Sequence, residues 1–173
     1  VDTFFSELGS PEFVKSILEV IQAACLPLAP RNKMVLFMNT AGNNGKGTIC
    51  QLIRNILGKD SVVSIPITNF SKQFELANLP DACSVICDEN DVSSFSQGLG
   101  NLKSVITGDT VSIERKYKES FDYSFHGLVL QCVNDFPKGD DKSGSFRRRL
   151  HIIPFENCFT GAEKRYIKDR LIY

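Results

Sequence analysis

Apolar side chains recur at helical spacing at Val14, Ile17, Leu18 and Ile21, directly after Ser10-Pro11-Glu12. A hydroxyl able to cap, a proline at the first helical position and an acid near the positive end predict a helix start there. Leu26-Pro27 ends the element, and its one apolar face must pack on something. Met34-Val35-Leu36-Phe37-Met38 has no polar position, which predicts a short strand buried on both faces. The glycine- and asparagine-rich stretch from Thr40 to Thr48 then runs into Ile49, Leu52, Ile53, Ile56 and Leu57, again helical, and stops at Gly58. Residues 62–65 predict a second strand, 70–79 a helix, and 84–87 a third strand closed by Asp88-Glu89. A serine and glycine loop over 93–100 precedes a short helix over 101–106 that ends at Thr107-Gly108-Asp109. Residues 110–116 and 121–125 read as the arms of a hairpin with Lys118-Glu119 near its tip. Residues 128–133 form a fourth core strand, a polar loop over 138–145 leads to Arg147-Arg148-Arg149, residues 151–155 form a last strand, and 161–173 a charged helix. Strands alternating with helices predict an α/β fold with a central, mainly parallel sheet flanked by helices.

Composition narrows the class. At 173 residues and 19.3 kDa the chain has the size of one domain, given roughly 150 residues per domain. Hydrophobic residues make up 42% and charged residues 23%, a globular balance that excludes a disordered tail. No apolar run approaches the ~20 residues of a membrane-spanning helix, so no membrane partner is expected. The net charge is zero, but residues 1–100 carry 7 basic and 10 acidic side chains while residues 101–173 carry 13 and 10. A localised basic feature in the second part fits this better than a basic coat. The six cysteines form no CxxC pair and only His126 and His151 could join them, so buried free thiols are expected rather than a structural metal. Free thiols and the lack of a signal peptide point to a cytoplasmic protein of a bacterial or host cell. The chain starts at Val1, which reads as a piece of a longer protein, with 1–30 a helical segment packing on a core domain over 31–173.

The segment Gly42-Asn43-Asn44-Gly45-Lys46-Gly47-Thr48 lies between a buried strand and a helix, where a phosphate-binding loop belongs. Glycines let the backbone turn its N–H groups inward, the helix start adds positive potential, and Lys46 reaches the β- and γ-phosphates. This predicts ATP with Mg²⁺ in a P-loop fold. Two positions depart from G-x-x-x-x-G-K-[ST]: Thr40 replaces the first glycine, and Gly47 stands at the metal-binding hydroxyl. Thr48 is the nearest hydroxyl, turned by about 100° along the helix, so Thr48, a water or Asp88 would serve the metal. The other reading is a glycine-rich turn that binds nothing. Asp88 and Glu89 close an apolar strand, so adjacent carboxylates point different ways, one toward Mg²⁺ and one toward an attacking water. An ordinary polar strand end is the alternative.

Asn134 also follows an apolar strand, where an amide can hold a water near the γ-phosphate. Three consecutive arginines, Arg147, Arg148 and Arg149, call for an anionic partner, either a phosphate or solvent and counter-ions. The hairpin carries Arg115, Lys116 and Lys118 with Tyr117 interleaved, suited to nucleic-acid phosphates and a stacked base, or to guarding a sheet edge.

The ordered set resembles the ATPase core of superfamily 3 helicases, in the branch of phage, plasmid and poxvirus primase-helicases. The text that carries it is Gly42 to Thr48, Val85-Ile86-Cys87-Asp88-Glu89, Leu102 to Asp109 with the hairpin, and Cys132-Val133-Asn134-Asp135-Phe136-Pro137 through Phe146 to Phe155. An N-G-K-G-T loop is familiar in that branch. The resemblance implies an AAA+-like ATPase with the hairpin inserted before the sensor-1 strand, working as a ring hexamer with nucleotide between subunits. It makes Asn134 sensor 1, one or more of Arg147, Arg148 and Arg149 a finger acting in trans, with Arg148 and Arg149 the better matches, and the hairpin a carrier of single-stranded DNA. Lys103 matches a basic position whose role lies between DNA and nucleotide. Primase and other replication partners follow from the same resemblance. A P-loop small-molecule kinase and a non-catalytic ATP-dependent DNA-binding or assembly module are the alternatives.

Overall fold

A computed structural model describes residues 2–26, 31–40, 42–72, 74–90, 99–136 and 144–161. The predicted last helix beyond Gly161 and most of the loops over 93–100 and 138–145 lie outside them. Helices α1 (Asp2–Leu8) and α2 (Pro11–Cys25) lead into strand β1 (Met34–Met38). Then come α3 (Lys46–Leu57), β2 (Val62–Val63), β3 (Ser84–Cys87), α4 (Leu99–Thr107), the hairpin β4 (Thr110–Ile113) and β5 (Phe121–Ser124), β6 (Leu128–Val133) and β7 (Leu150–Pro154). The main sheet has five strands in the order β2-β3-β6-β1-β7, every pair parallel. The α/β class with a parallel sheet and a separate hairpin is therefore as expected.

Alternation along the central strands divides the interior into two layers. Met34 and Leu36 of β1 and Val129 and Val133 of β6 face a core shared with α4, the hairpin, Phe70 and Leu79. Val35, Phe37, Leu130 and Cys132 face a second core shared with Phe4, Leu8, Ile17, Val20, Ile49 and Ile53 of α1, α2 and α3. The Ser10 side chain caps α2 by accepting from the Phe13 N–H at 3.3 Å, with Pro11 at the helix start. Helix α1 escaped sequence reading, because a 7-residue segment offers too few repeats for a helical period.

Three predicted elements differ. Residues 70–79 are not a helix: a 3₁₀ turn over Ile67–Ser71 is followed by successive tight turns and a second 3₁₀ turn over Leu79–Asp81. Their bonds run over three residues, as from the Lys72 N–H to the Asn69 carbonyl at 2.9 Å and from the Ala77 N–H to the Phe74 carbonyl at 3.0 Å. Apolar residues three apart, Ile67 with Phe70 and Leu76 with Leu79, suit such turns. Phe74 at φ 69° interrupts any right-handed run. The second strand is only Val62–Val63, since Pro66 follows shortly and the Ile65 carbonyl accepts from the buried Gln131 side chain at 3.2 Å instead of a strand neighbour. The hairpin arms are also shorter than predicted, ending at Ile113 and starting again at Phe121.

Strand β1 sits between β6 and β7, so the loop after it opens beside the C-terminal ends of both neighbours. The chain leaves β1 for one edge of the sheet and returns to its other side in β7, which makes this a topological switch point where α/β sheets bind ligands. Close packing at the opposite end of β6 gives a direct check of the fold. A Cβ at Gly127 would lie 2.0 Å from the Cys83 carbonyl oxygen and 2.5 Å from the Phe125 ring. Gly127→Ala is expected to cost roughly 3 kcal/mol of overpacking strain, read as a lower urea midpoint. An unchanged midpoint would contradict this packing.

Candidate functional site

The loop after β1 bends through two left-handed residues, Asn43 at φ 55° and Gly45 at φ 88°. Gly45 is the N-cap of α3 and has no side chain to cap with, so backbone N–H groups of the first turn other than that of Lys46 stay available. Asn44 is buried and its Oδ1 accepts from the Lys46 N–H at 3.3 Å, holding the turn from within. The Lys46 side chain runs back under the loop and is only 7% exposed. Its Nζ donates to the carbonyls of Asn39 at 3.3 Å and Val133 at 3.0 Å, and to Asn134 Oδ1 at 3.1 Å. Burial holds this ammonium below the usual lysine range. The structure thus joins Lys46 and Asn134, 88 positions apart in sequence, at the mouth of the sheet.

Thr48 is buried one residue further along α3, while Gly47 has no side chain to offer. Asp88 and Glu89 follow β3, two strands over from β1. Asp88 is held by an arginine that sequence reasoning missed: Arg54 Nη1 and Nη2 each donate to one carboxylate oxygen at 2.8 Å. The Glu89 side chain is exposed and has no partner among the described residues. Asn90, also missed, is buried and bridges elements. Its Nδ2 donates to the Cys132 carbonyl at 3.0 Å and its Oδ1 accepts from the Ile67 N–H at 2.9 Å. Arg54 left a signal, a lone cation on the helix face of Lys46 and Cys50; Asn90 left none, since a polar residue after an acidic pair looks like any strand end.

The outer wall of the loop comes from both ends of the described chain. The Phe159 N–H donates to the Asn43 carbonyl at 2.8 Å, and the Asn157 amide donates to the Leu8 carbonyl at 3.0 Å. A cleft of about 280 Å³ opens beside it, lined by Leu8, Gly9, Ser10, Phe13, Pro154, Glu156 and Asn157. The Asn39 side chain also donates to the Phe155 carbonyl, tying the end of β1 to the end of β7.

The candidate cations separate into committed and free ones. Arg149 donates to the Ser145 carbonyl at 2.6 Å, and Arg147 lies over the Phe136 ring, 5.1 Å from its centroid. The exposed Arg148 side chain has no partner among the described residues, while its backbone carbonyl accepts from Lys33. Lys103 donates to Ser145 Oγ at 2.6 Å, beside the arginine turn and away from the hairpin tip. Arg115, expected among the hairpin's cationic projections, ties the start of the hairpin loop to the turns at Ala77 and Asp81. Its Nε donates to the Ala77 carbonyl at 3.0 Å, its guanidinium pairs with Asp81 at 3.0 Å and lies 5.5 Å from the centre of the Phe121 ring. Lys116, Tyr117 and Lys118 stay exposed, Tyr117 completely, at φ 61°. Phe74 adds an aromatic face, 39% exposed, above a small cleft lined by Lys72, Ser112 and Glu114.

Comparison with known proteins places the chain. A model described as a family of unknown function (DUF5906) matches residues 37–149. Replication protein E1 of human papillomavirus 39 is 26% identical over 136 residues, covering 79% of this chain and 20% of the relative. Replication protein E1 of human papillomavirus type 2a is 28% identical over 130 residues, covering 75% of this chain and 19% of the relative. The chain thus spans about a fifth of the length of the curated relatives it matches. Among solved structures, the apo C-terminal region of NrS-1 superposes with a TM-score of 0.65 at 19% identity, over 95% of this chain and 43% of that one. JCV Helicase superposes with a TM-score of 0.55 at 19% identity, over 86% and 42%. The domain is superfamily 3 helicase-like. An isolated surface pair such as Arg115–Asp81 adds little stability, so the bond to the Ala77 carbonyl is the anchor. Arg115→Ala is therefore expected to speed amide exchange across residues 110–124 while leaving α3 unchanged. Unaltered hairpin exchange would contradict that anchoring.

Proposed function

The chain belongs to the DUF5906 family of unknown function, and from its site we propose that it is the ATP-hydrolysing motor of a replicative DNA helicase serving a phage, plasmid or other mobile element. The carrying observation is the Lys46 ammonium, buried beneath a left-handed glycine turn and bonded to Asn134 at 3.1 Å. A cation whose partners among the described residues are carbonyl and amide oxygens, at the start of a helix, is the donor set a triphosphate needs. The acidic pair after β3 adds hard oxygen ligands of the kind Mg²⁺ takes, so the residues fit the magnesium nucleotide.

In this reading Gly42, Asn43, Asn44, Gly45, Gly47 and Thr48 wrap the phosphates with backbone N–H groups, and Lys46 draws the β- and γ-oxygens. Thr48 and Asp88 hold Mg²⁺, which supplies charge neutralisation on the phosphate oxygens. Glu89, with no side-chain partner among the described residues, orients and deprotonates the attacking water, and Asn134 fixes that water against the γ-phosphate. Arg148 serves as the finger toward a neighbouring subunit's nucleotide, because Arg147 and Arg149 already have partners within their own chain. A ring of such subunits, a hexamer, would share its sites in this way. Lys116 and Lys118 carry single-stranded DNA phosphates and Tyr117 stacks on a base, with Arg115 and Lys103 shaping the elements behind them. The names of the relatives, a replication protein and a helicase, support this assignment.

The test is ATP hydrolysis with Mg²⁺, with and without single-stranded DNA, across a range of protein concentrations. DNA-stimulated activity rising more steeply than linearly, and lost on Arg148→Ala, is expected. Activity linear in concentration and indifferent to DNA would overturn the shared-site motor. A non-catalytic ATP-dependent module is the second reading, favoured by the missing hydroxyl at Gly47. Wild type hydrolysing ATP no faster than Glu89→Ala would select it.

A further inference from the structure

Lys46, Cys50 and Arg54 recur every fourth residue along α3 and share one of its faces. That face crosses the C-terminal ends of two strands. Lys46 meets Asn134 after β6, Cys50 Sγ lies 3.5 Å from Cys132 Sγ within β6, and Arg54 meets Asp88 after β3. The last contact has a particular shape. Nη1 and Nη2 take one Asp88 oxygen each, both at 2.8 Å, and Nη2 also donates to the Ile86 carbonyl at 3.1 Å. One guanidinium therefore grips the carboxylate and the strand that carries it, which fixes both rotatable bonds of the Asp88 side chain.

Stability is a poor reason for this arrangement. The two side chains are 22% and 41% exposed, so solvent screens the pair and limits what even this bidentate contact adds to folding. Orientation is a better one, since carboxylates near a metal are commonly steered by a second hydrogen-bonding layer. We propose that Arg54 is a positioning residue for the metal side of the nucleotide site: it sets the direction in which Asp88 offers its remaining lone pairs. Resting on the nucleotide reading above, this deepens it. With both Asp88 oxygens engaged by Arg54, Glu89 is the carboxylate of the pair with no side-chain partner among the described residues.

The measurement is binding of the fluorescent nucleotide mant-ADP to the full 173-residue chain, with Mg²⁺ and with EDTA, which reports the affinity gained from the metal. Arg54→Gln is expected to shrink that gain roughly tenfold to a hundredfold, with affinity in EDTA and the melting temperature of the free protein held. Arg54→Lys, which keeps the charge without the fork, should restore part of the gain. Asp88→Asn should shrink it as well, and the double variant should fall no further than Asp88→Asn alone, the signature of one residue acting through the other. A full gain in Arg54→Gln, a larger one, or a double variant that falls further would each overturn the proposal. Should Arg54→Gln fail to fold, the near-isosteric Asp88→Asn and the Arg54→Lys variant decide the matter alone, because equal gain in all three proteins contradicts it. Wild type that binds no mant-ADP at all would instead overturn the nucleotide reading, a distinct result.

Discussion

A buried ammonium has to be paid in oxygen ligands, and the position of Lys46 follows from where those ligands are found. Strands β1 and β6 are parallel neighbours, and at their C-terminal ends the carbonyls of Asn39 and Val133 both accept from Lys46 Nζ. The turn through Asn43 and Gly45 starts α3 directly above them, which brings Lys46 over the pair. Burying the amine costs solvation that only these contacts offset, and its lowered pKa records the residual penalty. A phosphate arriving at the helix start would give the same ammonium a formal counter-charge. That is the physical reason for proposing that the site takes an anion.

The same reasoning separates cations already bonded within the chain from cations that face solvent. Arg54, Arg115 and Arg149 each donate to a main-chain carbonyl, so their guanidinium groups fix a strand end, the start of the hairpin loop and a turn. Arg148, Lys116 and Lys118 have no such contacts among the described residues and sit at the ends of the elements those groups fix. Committed cations provide rigidity beside free ones, which lowers the ordering entropy a bound phosphate must overcome.

Much of this was legible in the residues themselves. The mostly apolar runs at 34–38, 84–87 and 128–133 became three central strands because a parallel sheet covered on both faces buries both sides of each strand. The glycine- and lysine-bearing loop between strand and helix could be located from order alone. Residues 67–81 misled because spacing by three serves a 3₁₀ turn as well as a helix, and only the backbone at Phe74 decides between them. Arg115 looked like part of a basic tip because its partner, the Ala77 carbonyl, is a main-chain atom 38 residues away that no side-chain pattern announces. Arg54 was visible as a cation on a helix, but its partner Asp88 lies 34 residues on, across two strands of topology.

The central claim is that the Lys46 cradle receives phosphate, and hydrogen–deuterium exchange with and without ADP and Mg²⁺ tests it most directly. The account predicts slowed exchange in two separated stretches at once, the loop and first turn of α3 over 42–50 and the end of β6 around 133–134. Protection confined to other regions, or none at either stretch under conditions where ADP is bound, would contradict it.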